Sequence, residues 1–200
     1  MSTLTVGGMC ARLARHLWWA RLAGWRTEPG SVGVMAKAAG TPGWSELEAG
    51  APQIARLGME RLASTRVAML ATLRPDGSPR ISPVEPCLAG GCLLVGAMSW
   101  SRKAADLRRD PRYALHSAIA DPDSGTGELK LQGRAAIASP LRRQQAAAAW
   151  WSALPPQSAE VFVLGIEQAL FVEWDIPHAV MTVHRWSPGR GYSHSARIYP

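Results

Sequence analysis

VAMLATLRPDGSPRISPVEPCLAGGCLLVGAMSWSRKAADLRRDPR, residues 67–112, decides the fold. Val67–Leu73 is a short, nearly continuous apolar run and reads as a buried strand. Pro75-Asp76-Gly77-Ser78 is a turn, because proline fixes φ and glycine accepts positive φ. Arg80–Val84 alternates polar and apolar, as a half-buried strand does, and Pro83 and Pro86 place it near an edge or a bulge. Ala89-Gly90-Gly91 turns the chain into a third strand, Cys92–Met98. Ser101–Arg109 then reads as a short helix stopped by Asp110-Pro111. A helix start presents unpaired N–H groups and a partial positive charge. Ser101, Arg102 and Lys103 add a hydroxyl and two cations there, the makings of a phosphate cradle. The same residues also fit an ordinary serine cap followed by solvated basic side chains.

Working outward, Tyr113–Ile119 predicts a fourth strand and Asp121–Gly127 a polar loop. Glu128–Ala138 alternates and predicts a fifth strand; Pro140 opens a helix through Trp151. Val161–Ile166 and Ala169–Trp174 read as a strand pair, and Val180–Trp186 as the last strand. Upstream, Ser45 and Glu48 have capping-box spacing, Pro52 interrupts, and Ile54–Ala63 has helical periodicity. About seven short, regularly spaced strands with few helices predict a mainly β (α+β) antiparallel barrel, not a doubly wound parallel sheet. The predicted organisation is a basic, tryptophan-rich, poorly ordered extension over 1–45, one domain over 46–187 and a loose tail over 188–200. Met9–Ala23 alternatively reads as an amphipathic basic helix, and Met35 or Met59 as a later start.

The chain has 200 residues, 47% hydrophobic, with formal net charge +7. Its basic residues are scattered rather than blocked, which argues against a continuous nucleic-acid stripe. Arginines 12, 15, 21 and 26 break every apolar run before the ~20 residues that span a bilayer. No apolar leader with a cleavage site is evident, so the expected location is the cytoplasm, without membrane attachment. Cys10, Cys87 and Cys92 share no metal-ligand spacing. Cys87 and Cys92 flank a turn and allow a disulfide, but two small apolar residues is the preferred reading.

Two further constellations bear on binding. Arg80 and Ser82 share a strand face with period two, and with Glu85 they can meet a phosphate or a heterocycle edge, or simply solvent. Glu128, Lys130, Gln132 and Arg134 share one face of the fifth strand and can line a groove, a dimer seam or a solvated surface. The histidines show no metal spacing; His116, in an apolar strand, reads as a core residue ahead of a haem ligand. No Ser-His-Asp order, nucleophile elbow or Walker motif is present, so no catalytic acid or base is named.

VAMLATLRPDGSPRISPVEP followed by LLVGAMSWSRKAADLRRDPRYAL resembles the pyridoxamine 5′-phosphate oxidase-like flavoproteins, and GELKLQGRAAI resembles their next strand. The resemblance covers roughly Leu62–Ser139 and extends plausibly to Trp186. It implies a six-stranded split barrel, a homodimer with FMN at the subunit interface, and flavin-dependent oxidoreduction of a small molecule. On the matching positions Ser101, Arg102 and Lys103 would hold the FMN phosphate; Arg80, Ser82 and Val84 would line the ribityl and ring side. Glu128 and Lys130 would lie on the strand approaching the flavin. True oxidases of this kind carry arginine at the position of Ser82, lysine near Glu85 and a different carboxy-terminal segment, which counts against vitamin B6 oxidation itself. Other members imply a deazaflavin-dependent reductase or a non-catalytic flavin or haem carrier.

Overall fold

The computed structural model describes residues 41–118, 125–150 and 159–199. The expectations for most of the 1–45 extension, for Asp121–Ser124 and for Trp151 lie outside the described residues. Thirteen elements follow in order: α1 (Trp44–Gly50), α2 (Pro52–Thr65), β1 (Ala68–Leu73), β2 (Pro79–Val84), β3 (Pro86–Ala89), β4 (Cys92–Met98), α3 (Arg102–Arg109), β5 (Arg112–Ser117), β6 (Glu128–Ile137), α4 (Pro140–Ala149), β7 (Ala159–Asp175), β8 (Val180–Ser187) and β9 (Gly191–Ile198).

The sheet runs β2-β1-β5-β6-β7-β4-β3, with every pair antiparallel. β2 and β3 are one segment interrupted only at Glu85. β2 pairs with β1 and β3 pairs with β4, so this segment joins the two ends of the path. The result is a six-stranded split barrel, as the resemblance implies, to which the β8–β9 hairpin is added along β7. Pro86 opens β3, a position where its missing N–H costs no ladder bond. The interior is filled by Leu70, Leu93, Leu115, Leu129, Leu131, Phe162 and Leu164, all fully buried, with α1 and α2 packed on them through Trp44, Leu47 and Ile54.

Several expectations need correction. The strand pair predicted over 161–174 is the single strand β7. Its polar Glu167-Gln168 is no turn: the register slips at Gln132/Gly133 and leaves Glu167 as the extra residue of a bulge. Gly133 is needed there, since a Cβ would lie 1.9 Å from the Gly165 carbonyl oxygen. The predicted loose tail contains β9, paired with β8 along its whole length. Its residues are exposed on both faces, so no apolar alternation announces it. α1 is capped by Glu46, which accepts from Gly43 N–H at 2.9 Å, rather than by the Ser45–Glu48 box. Ser45 N–H is instead committed to the Gly91 carbonyl, 3.1 Å away. His116 is not a core residue: Tyr113, Leu115 and Ser117 point inward, and His116 faces outward between Met69 and Lys130. In agreement with the preferred reading, Cys87 and Cys92 are free thiols, and burial pushes Cys87 up to about 11.

A cleft at the start of the third helix

The chain leaves β4 through a turn in which Ser101 N–H donates to Met98 O at 2.8 Å. Ser101 then caps α3, its Oγ accepting from Ala104 N–H at 3.3 Å. Ala104 and Leu107 anchor the inner face of the helix. Asp106 lies on the same side and is only 2% exposed. Its Oδ2 accepts from Thr72 Oγ1 at 2.9 Å and from Arg80 Nε at 2.7 Å, while Arg109 reaches Oδ1 at 3.3 Å. Burial alone would raise the Asp106 carboxyl. The hydrogen bonds from Arg80 and Thr72 and the charge of Arg80 outweigh it and hold the group below its ordinary value.

This cluster fixes α3 against β1 and β2. In the β1–β2 register Arg80 lies opposite Thr72, Ser82 opposite Leu70 and Val84 opposite Ala68. These three β2 residues therefore share the face over which α3 lies. Lys103, on the first turn of α3, donates from Nζ to the Pro83 carbonyl at 2.9 Å. Burial lowers its pKa, and the nearby Glu85 carboxylate works in the opposite direction.

Lys103 opens on a cleft of about 240 Å3. It is also lined by Pro83 and Val84 of β2, by Glu85 just after them, by Val67 and Gly96, and by Trp150, the C-cap of α4. Of the residues expected to bind a cofactor, Val84 and Lys103 thus meet in one cleft. Ser101 and Arg102 stand next to it at the helix start, with Ser101 half-buried and Arg102 exposed. Arg80 and Ser82 lie along the same strand face, and the Nε–H of Arg80 is committed to Asp106. Glu128 and Lys130 do not line the cleft. They form a separate group on the outer face of β6, where Glu128 Oε2 is 2.9 Å from Lys130 Nζ and 3.5 Å from His116 Nε2. Asp106, Thr72, Gly96 and Trp150 are additions that the sequence reading missed. Asp106 carried one signal: it is the sole acid in RKAADLRR and sits on the stripe of Ala104 and Leu107.

Among the described residues no group of three or more His, Cys, Asp or Glu side chains could hold a metal ion. Among them, too, no helix is long and apolar enough to cross a membrane.

The fold is thus a split barrel with a lysine-bearing cleft at a helix start. A family model described as pyridoxamine 5′-phosphate oxidase matches residues 59–173, and the chain belongs to that family. No curated protein matches the chain. Similar solved structures share the fold. PhzG of Burkholderia lata, in complex with tetrahydrophenazine-1-carboxylic acid, is 13% identical with a TM-score of 0.55, covering 85% of this chain and 100% of its own. A haem-binding protein of Mycobacterium smegmatis is 18% identical with a TM-score of 0.53, over 74% and 89%. A pyridoxamine 5′-phosphate oxidase-related, FMN-binding protein of Nostoc punctiforme is 14% identical with a TM-score of 0.52, over 75% and 96%.

Proposed function

We propose that this protein is a cytoplasmic, homodimeric FMN-binding oxidoreductase acting on a small organic substrate. The observation that carries the reading is the half-buried ammonium of Lys103, held by Pro83 O in a cleft beside a serine-capped helix start. A phosphate suits that position, because a helix start favours an anion and a cationic side chain stands beside it. Ser101, Arg102 and Lys103 would hold the phosphate, and Arg80, Ser82 and Val84 the ribityl chain and ring edge. Gly96, without a side chain, lets a flat ligand approach the β4 backbone. FMN supplies hydride transfer through its ring; the protein's residues bind, orient and exclude water.

The cleft is smaller than the ~300–1,000 Å3 of complete ligand sites. It suits one end of FMN, with the remainder completed by a second copy. A surface for that copy lies on the outer face of β1, β2, β5 and β6. There Ile81 is 66% and Met69 37% exposed, in register with Ala71, Ala114 and His116. Glu128 and Lys130 belong to the same outer face, so a partner's flavin is their route to a cofactor. A deazaflavin also carries a phosphate and would use the same cradle. Haem ligation by His116 has less support, because its Nδ1 is 2.6 Å from Ser117 O and its Nε2 faces Glu128.

The test is the absorption spectrum of the purified protein, then separate titration of FMN and a deazaflavin into the apoprotein. Bound flavin or clearly tighter FMN binding supports the reading. Preference for the deazaflavin moves the function to a reductase of that cofactor, and binding of neither refutes both.

A further inference from the structure

β9 pairs with β8 along one edge, and among the described residues its other edge ends the sheet. Tyr199 N–H donates to Ala179 O at 3.0 Å, at the position that continues the β8–β9 register. Hydrogen-bonded positions alternate along an antiparallel pair. Gly191, Ser193, Ser195 and Arg197 therefore commit their backbone groups to β8. Those of Tyr192, His194, Ala196 and Ile198 point to the open edge.

Soluble proteins blunt such edges with proline, lysine, bulges or very short strands. β2 carries Pro79 and Pro83, and β3 opens with Pro86. β9 has 8 residues without proline or lysine, all exposed, and its register against β8 never shifts. A hairpin strand exposed on both faces gains little from burial within its own chain.

The strand is also self-complementary. Laid antiparallel on a second β9 with the two-fold axis at Ser195, it sets the outward-pointing residues of the two strands against each other. Tyr192 then lies opposite Ile198 of the second copy, His194 opposite Ala196 and Ser193 opposite Arg197. Tyr192 and Ile198 are the exposed large apolar side chains of the strand, and an aromatic opposite a β-branched residue is a favourable cross-strand pair. No like charges stand opposite. Arg185 of β8 is one strand further from that Arg197, ~10 Å away, where salt screens the repulsion. An axis at His194 would instead oppose two imidazoles and set Ile198 against Arg190.

We propose that the open edge of β9 is a contact between two copies of this chain, an antiparallel β9–β9 ladder centred on Ser195. The inference goes beyond the flavin reading and uses none of the cleft residues.

The test is site-specific cross-linking of the full chain. Ser195 would face its own copy in a non-hydrogen-bonded pair, with Cα atoms ~4.5 Å apart, a span that a disulfide bridges. Ser193 would lie ~14 Å from its own copy. Ser195→Cys and Ser193→Cys are oxidised with diamide and the two-chain product is followed on non-reducing gels. The unmodified protein sets the background from Cys10, Cys87 and Cys92. Ser195→Cys should cross-link ~10-fold faster than Ser193→Cys. Adding Ala196→Pro, which removes an N–H that β8 does not use, should bring Ser195→Cys down to the Ser193→Cys rate. Equal rates for the two cysteines, the result if another protein occupies this edge, would overturn the inference. Fast cross-linking that survives Ala196→Pro would overturn it too. FMN titration of the same proteins separates the two readings. Bound FMN without the Ser195 preference removes this contact alone, and the preference without FMN binding leaves the contact standing while the flavin reading fails.

Discussion

Replacing Asp106 by asparagine tests the cluster that holds the third helix over β2. Asparagine keeps an oxygen for Thr72 but gives up the charge that pairs with Arg80. Hydrogen bonds to charged groups contribute ~1.5–3 kcal/mol. Arg80 is 22% exposed and Arg109 39%, so solvent screens the second partner more than the first. The expected loss at neutral pH is about 2 kcal/mol, nearly all of it from Arg80. For a chain of this size that corresponds to a Tm lower by roughly 4–8 °C. The pH dependence makes the test specific. The folded carboxyl titrates below its ordinary 3.8, so its contribution is present above that value and fades as pH falls through the lower, folded one. Urea denaturation of both proteins at pH 7 and pH 3 should therefore show a full gap at pH 7 and a smaller one at pH 3. A gap below about 0.5 kcal/mol at pH 7, or one unchanged in acid, would refute the reasoning.

Three further outcomes are expected. Lys103→Ala should weaken FMN by roughly 1.5–3 kcal/mol, the scale of a charge-assisted hydrogen bond, measured by quenching of flavin fluorescence; unchanged affinity removes the cradle assignment. Gly133→Ala should cost about 3 kcal/mol in denaturant titration, because its Cβ would lie 1.9 Å from Gly165 O and the β7 bulge cannot yield without breaking the ladder. Ile81→Asp should weaken self-association at least ~10-fold by forcing a carboxylate into an apolar contact, seen as a lower mass in light scattering across a dilution series; an unchanged mass would exclude that face as the subunit contact.

The barrel was readable because its signals are local. Asp76-Gly77 and Gly90-Gly91 set two hairpins, and Ser101 marks the helix start that the structure shows. The elements misread are those whose cause is distant in sequence. Glu167-Gln168 looks like a turn until β6 supplies the bulge partner at Gly133. β9 is polar and exposed on both faces, and only its ladder with β8 reveals it. Glu46 rather than Glu48 caps α1 because burial of Trp44 and Leu47 sets the helix start two residues earlier. In the cleft, Lys103 follows from a helix start and Val84 only from the family resemblance, whereas Trp150 reaches it from the end of α4, over fifty positions downstream of Gly96. Asp106 was missed for a different reason: in a strongly basic helix an acid reads as a solvent ion pair, and only the close packing of Thr72 and Arg80 makes it a buried one.

The central claim is that the cleft at the start of α3 takes the phosphate of a flavin. Parallel titration of the apoprotein with FMN and with riboflavin, which differ only in that phosphate, tests it most directly. The account predicts that FMN binds at least ~100-fold more tightly, as a phosphate seated on a lysine and a helix start requires. Equal affinities, or no binding of FMN, would contradict it.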